Sequence, residues 1–180
     1  MALQPTIYKL RIMLSDMDRQ YYETLSLTVA QHPSETLERM MIRVLAFCIN
    51  AQENLAFTKG LSAPDEPDIW LLSLDNQMLL WIDVGEPAVD RIKKATRIAK
   101  TVKVYSFNSK SDSWWNRECT KFNQLSALIY QFQWQDAQAL AACVQRTMDF
   151  SVSITGDSAY VATADGECEV SWQTLQTSQL

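Results

Sequence analysis

A single histidine, His32, is all the imidazole in this 180-residue chain, so chemistry that needs a histidine pair or a histidine-rich metal site is excluded. Four cysteines, Cys48, Cys119, Cys143 and Cys168, lie far apart with no CxxC spacing. That pattern offers no zinc or dithiol motif and points to reduced thiols acting as small hydrophobes, as expected in a cytoplasm. No run approaches the roughly 18 apolar residues that a membrane span needs. The N-terminus, interrupted by Pro5, Lys9 and Arg11, lacks the apolar core of a signal peptide. Positive charge is not in excess either. A formal net charge of -5 and a pI near 4.9 argue against phosphate binding over the whole surface, while leaving room for a local basic patch. No internal repeat, low-complexity run or Gly/Ser linker divides the chain.

What is present is an ordinary globular composition, 47% apolar and 21% charged, and a length that predicts a single domain over residues 1–180. Period-two alternation predicts a strand over Thr6–Leu14, and the β-branched, aromatic run Tyr21–Val29 a second strand forming a hairpin with it. Ser34 is placed to cap a helix running to about Asn50, with Glu35 and Glu38 in its first turn and Glu35 spaced to pair with Arg39. A loop follows over Glu53–Glu66, with a short strand near Phe57. Beyond the central stretch, a helix is expected over Pro87–Thr101, a strand over Val102–Phe107 and a polar helix over Ser109–Lys121. A strand over Leu125–Trp134 and a helix over Asp136–Met148, capped by Asp136, come next. Small strands from Phe150 to Trp172 are broken at Thr155-Gly156-Asp157 and Asp165-Gly166. Strand, helix, strand in that order implies a right-handed parallel crossover.

The chain is organised around Pro67–Lys94, PDIWLLSLDNQMLLWIDVGEPAVDRIKK, read as two strands, a tight turn and a helix with a basic flank. A two-residue turn at Asp75-Asn76 sets Asp68 opposite Asp83, Ile69 opposite Ile82, Trp70 opposite Trp81, Leu71 opposite Leu80 and Leu72 opposite Leu79. Opposed Cβ atoms are roughly 4.5 to 5.5 Å apart, so two aspartates there repel unless something positive sits between them, and a divalent metal is the obvious candidate. On the following helix Lys93, Arg97 and Lys100 line one flank of the apolar face, Arg91 the other, and Lys94 points away.

A helix acid, an acid at the start of one central strand, an acid at the end of the next and a lysine close behind form a set suited to metal-assisted phosphodiester hydrolysis. This layout resembles the PD-(D/E)xK nuclease superfamily. Pro67-Asp68 resembles the PD half, and Asp83-Val84-Gly85 the (D/E)xK half, with glycine where the lysine would stand. The whole chain also resembles the YaeQ family of bacterial proteins, through His32–Phe47, Gly60–Trp70, Leu80–Pro87, Arg91–Ala95 and the Trp114-Trp115 pair. The resemblance implies an α/β, restriction-endonuclease-like fold: a central mixed sheet flanked by helices, with extra N- and C-terminal strands. It implies Asp68, Asp83 and Glu38 as ligands of Mg²⁺ or Mn²⁺, with Glu35 in reserve, and Lys93 or Lys94 as the displaced lysine. Two functions follow as expectations: a metal-dependent protein acting on or binding nucleic acid, or a catalytically inactive nuclease-fold module for protein interaction or regulation.

Overall fold

A computed structural model describes residues 3–177, and its contacts divide the chain into two compact units. The first holds the residues up to Ile49 together with Gln133–Trp172; the second holds Asn50–Phe132 and the residues from Gln173 onward. Both are mixed α/β. In chain order the elements are β1 (Thr6–Asp16), β2 (Tyr21–Gln31), α1 (Leu37–Ile49), β3 (Leu55–Phe57), β4 (Ile69–Leu72), β5 (Met78–Val84), α2 (Val89–Ile98) and β6 (Thr101–Ser106). They continue as α3 (Ser111–Phe122), β7 (Leu128–Phe132), α4 (Trp134–Ala142), β8 (Thr147–Thr155), β9 (Ser158–Thr163) and β10 (Gly166–Gln176). No described helix is long and apolar enough to cross a membrane.

In the first unit the sheet order is β2-β1-β8-β9-β10. β1 pairs antiparallel with β2 and parallel with β8, and alternation buries Tyr8, Leu10, Ile12 and Leu14 on one face of β1. Helices α1 and α4 pack on each other. The cap of α1 is Thr36, whose Oγ1 accepts the Arg39 N–H at 3.2 Å, whereas Ser34 turns to His32 Nδ1 at 2.7 Å. The helix therefore starts later than the sequence predicts. Helix α4 differs more: it begins at Trp134 with Gln133 as its cap, and Asp136 instead accepts the Ser171 N–H at 3.0 Å. It stops at Ala142, because Thr147 and Met148 are drawn into β8 beside Lys9 and Leu10. The strands expected from Phe150 onward break at the anticipated turns, where Gly156 and Gly166 have φ of 59° and 152°.

In the second unit the sheet order is β7-β6-β5-β4-β3, antiparallel through β3, β4 and β5 and parallel through β5, β6 and β7. Trp81, Val104 and Ile129 of this sheet pack with Ile92 and Ala95 of α2 and with Trp114 of α3. Since Asp83 lies two residues from Trp81 on β5, its side chain emerges on the α2 side. Glu86, which follows the strand-ending Gly85, caps α3 from a distance. Its Oε1 accepts the Phe107 N–H at 3.1 Å, the Asn108 N–H at 3.0 Å and the Ser111 hydroxyl at 2.5 Å. The Gln176 amide donates to the carbonyls of Phe122, Leu125 and Ala127, closing the α3–β7 connection.

Truncating the distant cap orphans three donors at once, so Glu86→Ala is expected to cost about 1–3 kcal/mol. At about 2–4 °C per kcal/mol for a chain of this size, that is a visible drop in melting temperature, whereas Glu86→Gln, which keeps an acceptor oxygen, should restore most of it. Thermal melts of the two variants check this, and an unshifted Glu86→Ala contradicts it.

Candidate functional site

The β4–β5 hairpin keeps the expected register where it is buried: Ile69 faces Ile82, Trp70 faces Trp81 and Leu71 faces Leu80. Its turn is different. Ser73 N–H donates to Gln77 O at 2.9 Å and Asn76 takes a φ of 62°, giving a three-residue loop with a left-handed last position. A register shift between Leu71 and Leu72 absorbs the extra residue, so Leu72 pairs with Met78 rather than Leu79. The burial of both isoleucines outweighs turn geometry in setting the alignment.

At the other end of the hairpin the two aspartates come together. Asp68 N–H donates to Ile82 O at 3.0 Å, and Asp68 Oδ2 accepts the Val84 N–H at 2.8 Å, so its side chain reaches across to the strand that carries Asp83. Behind it, the Thr58 hydroxyl donates to the Pro67 carbonyl and Thr58 N–H to Asp68 O at 3.1 Å. Both carboxylates are buried, at 5% and 3% exposure.

The positive charge beside them is Arg91. Its Nε donates to Asp83 Oδ2 at 2.7 Å and its Nη2 to Asp83 Oδ1 at 3.2 Å, a fork that engages both carboxylate oxygens. The same guanidinium donates to the carbonyls of Pro64 and Glu66 and lies 5.3 Å from the Trp81 ring centroid. One side chain thus ties α2 to β5 and to the loop before β4. Burial pushes the Asp83 carboxyl up, the hydrogen bond and charge of Arg91 pull it back, and the nearby Asp68 charge pushes it up again, leaving it above the ordinary carboxylate range. Burial works to lower the Arg91 pKa, but Asp83, Asp68 and Asp65 outweigh it and raise it.

Lys93 and Lys94 are exposed on α2, as are Arg97 and Lys100 beyond them, and among the described residues none of the four side chains has an acidic partner. Glu38 is half-buried at the start of α1, in the first unit. Glu35 is buried there with its carboxylate engaged by Arg43 Nη2 at 3.1 Å and Arg39 Nη1 at 3.6 Å, so the pairing with Arg39 holds but a second arginine dominates. Arg91 is the residue that sequence reasoning passed over. Its signal was there: it flanks the apolar face of α2 opposite Lys93, and the aspartate register demanded a cation.

Mg²⁺ requires near-octahedral oxygen coordination. Here both Asp83 oxygens are given to Arg91 and Asp68 Oδ2 to a backbone amide. Among the described residues no three His, Cys, Asp or Glu side chains converge. As arranged, the donors do not fit a divalent ion; they fit a guanidinium.

A family model described as "YaeQ protein" matches residues 1–172. The chain is 40% identical over 180 residues to the uncharacterized protein YaeQ of Salmonella typhi, a match covering 96% of this chain and 98% of that one. It is 38% identical, with the same coverage, to the uncharacterized protein YaeQ of Escherichia coli (strain K12). Among solved structures it is similar to the YaeQ protein from Xanthomonas axonopodis pv. citri, with a TM-score of 0.92 and 34% identity over 96% of this chain and 99% of that one. The YaeQ protein from Pseudomonas syringae gives 0.91 and 35% over 96% of each.

Removing the guanidinium strands a buried charge. Arg91→Met is expected to cost toward the low end of roughly 3–5 kcal/mol at neutral pH, because Arg91 is itself 33% exposed. The Asp83 carboxyl then rises further, and a raised folded pKa gives stability that is present in acid and lost as pH rises through that pKa. The deficit relative to wild type should therefore shrink as pH falls from neutrality through the raised value, and vanish from the pH profile when Asp83→Asn is added. Urea unfolding at stepped pH checks this; a deficit independent of pH contradicts it.

Proposed function

The chain belongs to the YaeQ protein family, and on that footing we propose that it is a nuclease-fold protein that binds nucleic acid along the exposed face of α2 without cutting it. The observation that carries this reading is the bidentate hold of Arg91 on Asp83, which puts a fixed cation where a phosphodiesterase needs a labile metal. The likeness to the PD-(D/E)xK core is part of the proposal and is supported by the order α1, antiparallel β3–β5, α2, parallel β6. The binding half is supported by charge placement. Lys93, Lys94, Arg97 and Lys100 stand together on or just beyond α2, with Asp90 as the acid of its first turn, in a chain whose net charge is -5. A basic strip on an acidic protein attracts the phosphate backbone locally and repels it elsewhere, which orients a strand along α2.

A second reading is supported by the adjacency of Asp68 and Asp83. It is Mg²⁺- or Mn²⁺-dependent phosphodiester hydrolysis with Asp68, Asp83 and Glu38 as ligands and Lys93 or Lys94 as the lysine. It requires Arg91 to leave Asp83. Incubation with labelled DNA and RNA in either metal separates the two: cleavage lost in Asp83→Asn establishes hydrolysis, and intact substrate supports binding alone.

For the binding itself, fluorescence anisotropy with labelled single- and double-stranded DNA and RNA across a salt series is the direct test. Replacing Lys93, Arg97 and Lys100 by serine is expected to reduce the slope of log K against log salt by about 0.7–0.9 per phosphate contact removed, with little change in melting temperature. An unchanged slope, or no salt-dependent binding by wild type, rules the reading out.

A further inference from the structure

Strand β2 stands at the end of the first unit's sheet, with β1 on one side and no described strand on the other. Two contacts fix which of its backbone groups face outward. Ala30 O accepts from Arg43 Nη2 at 2.8 Å, away from β1. Lys9, opposite Thr28, sends its N–H to Arg146 O at 2.8 Å, on the far side of β1, so the Lys9–Thr28 pair exchanges no backbone bonds and Thr28 also faces out. Alternation then turns the N–H and C=O groups of Tyr22, Thr24, Ser26 and Thr28 toward the open edge.

Soluble proteins guard such edges with charge, proline, bulges or short length. This strand has 11 residues, YYETLSLTVAQ, with Glu23 as its single charge and no proline, and its register with β1 runs without a break.

We infer that this edge pairs antiparallel with the same edge of a second copy of the chain, about a two-fold axis passing through Ser26. The side chains fit that axis. Outward-facing Ser26 meets its own copy and Thr24 meets Thr28, hydroxyl against hydroxyl, each pair exchanging two backbone N–H···O bonds. On the opposite face Leu25 meets Leu27, and both are half-buried leucines that β1 alone leaves partly in water. Glu23 falls opposite Val29, so no like charges meet. Tyr22 falls opposite Ala30, whose carbonyl Arg43 already holds, so the fully bonded run extends from Thr24 to Thr28 on each copy. Exposed apolar side chains gather on the hairpin that would form the junction: Met13 and Met17 are each 52% exposed and Tyr22 58%.

The test is the mass of the full chain in solution by sedimentation equilibrium, together with amide exchange. Wild type is expected at twice the 20.6 kDa chain mass. Ser26→Lys sets two ammonium groups opposite each other at the axis, and Ser26→Pro removes an N–H that β1 does not use. Either variant is expected to be monomeric with a wild-type circular dichroism spectrum. Should a variant fail to fold, wild type alone decides: the amides of Thr24, Ser26 and Thr28 should slow their exchange as protein concentration rises. A wild-type monomer at every concentration, a folded Ser26→Lys dimer, or exchange at those three amides that is fast and independent of concentration overturns the inference.

Discussion

The second unit depends on one charged contact. Two buried aspartates lie close together at the open end of a hairpin, an arrangement that is unfavourable unless a cation offsets their charge. Arg91 is that cation, and it does more than neutralise. By donating to Asp83, to the Pro64 and Glu66 carbonyls, and by covering Trp81, it fixes where α2 begins relative to β5 and how the loop before β4 returns to the sheet. A lysine could supply the charge but not the planar fork that reaches a carboxylate and two carbonyls together. An arginine in this position makes the site rigid, whereas a metal would make it conditional on supply.

This contact also explains how the rest of α2 is free to act. Because Arg91 turns inward, the aspartates draw none of the charge from Lys93, Lys94, Arg97 or Lys100, and the helix shows water a cationic face on a protein whose sum is negative. One helix therefore carries two separate sets of charge, one buried and directional, the other exposed and screened by salt.

Much of this was legible in the sequence. The hairpin register was legible from its centre at Asp75-Asn76, and it holds at Ile69–Ile82, Trp70–Trp81 and Leu71–Leu80. The turn itself was not: Asp75-Asn76 satisfies a two-residue loop as well as a three-residue one, and only the shift at Leu72 reveals the difference. The C-terminal strands were readable from Gly156 and Gly166, whose positive φ marks their turns. The end of α4 was not, because DAQALAACVQRTM has helical periodicity throughout, and pairing of Thr147 with Lys9 overrides local preference. At the site the register places Asp68 and Asp83 at one end of the hairpin, and Arg91, which in the sequence only flanks the apolar face of α2, is the cation bonded to Asp83. Resemblance to a nuclease motif points to Lys93 and Lys94, whereas the ion pair with Asp83 is made from the opposite flank of the helix.

If Arg91 is the cation that offsets Asp83 and the nearby Asp68, no divalent ion shares their place. Calorimetric titration of Mn²⁺, and of Mg²⁺, into wild type and Asp83→Asn tests it most directly. No saturable heat is expected for either protein at sub-millimolar metal. A one-site isotherm in wild type that disappears in Asp83→Asn would contradict it and return the site to a metal.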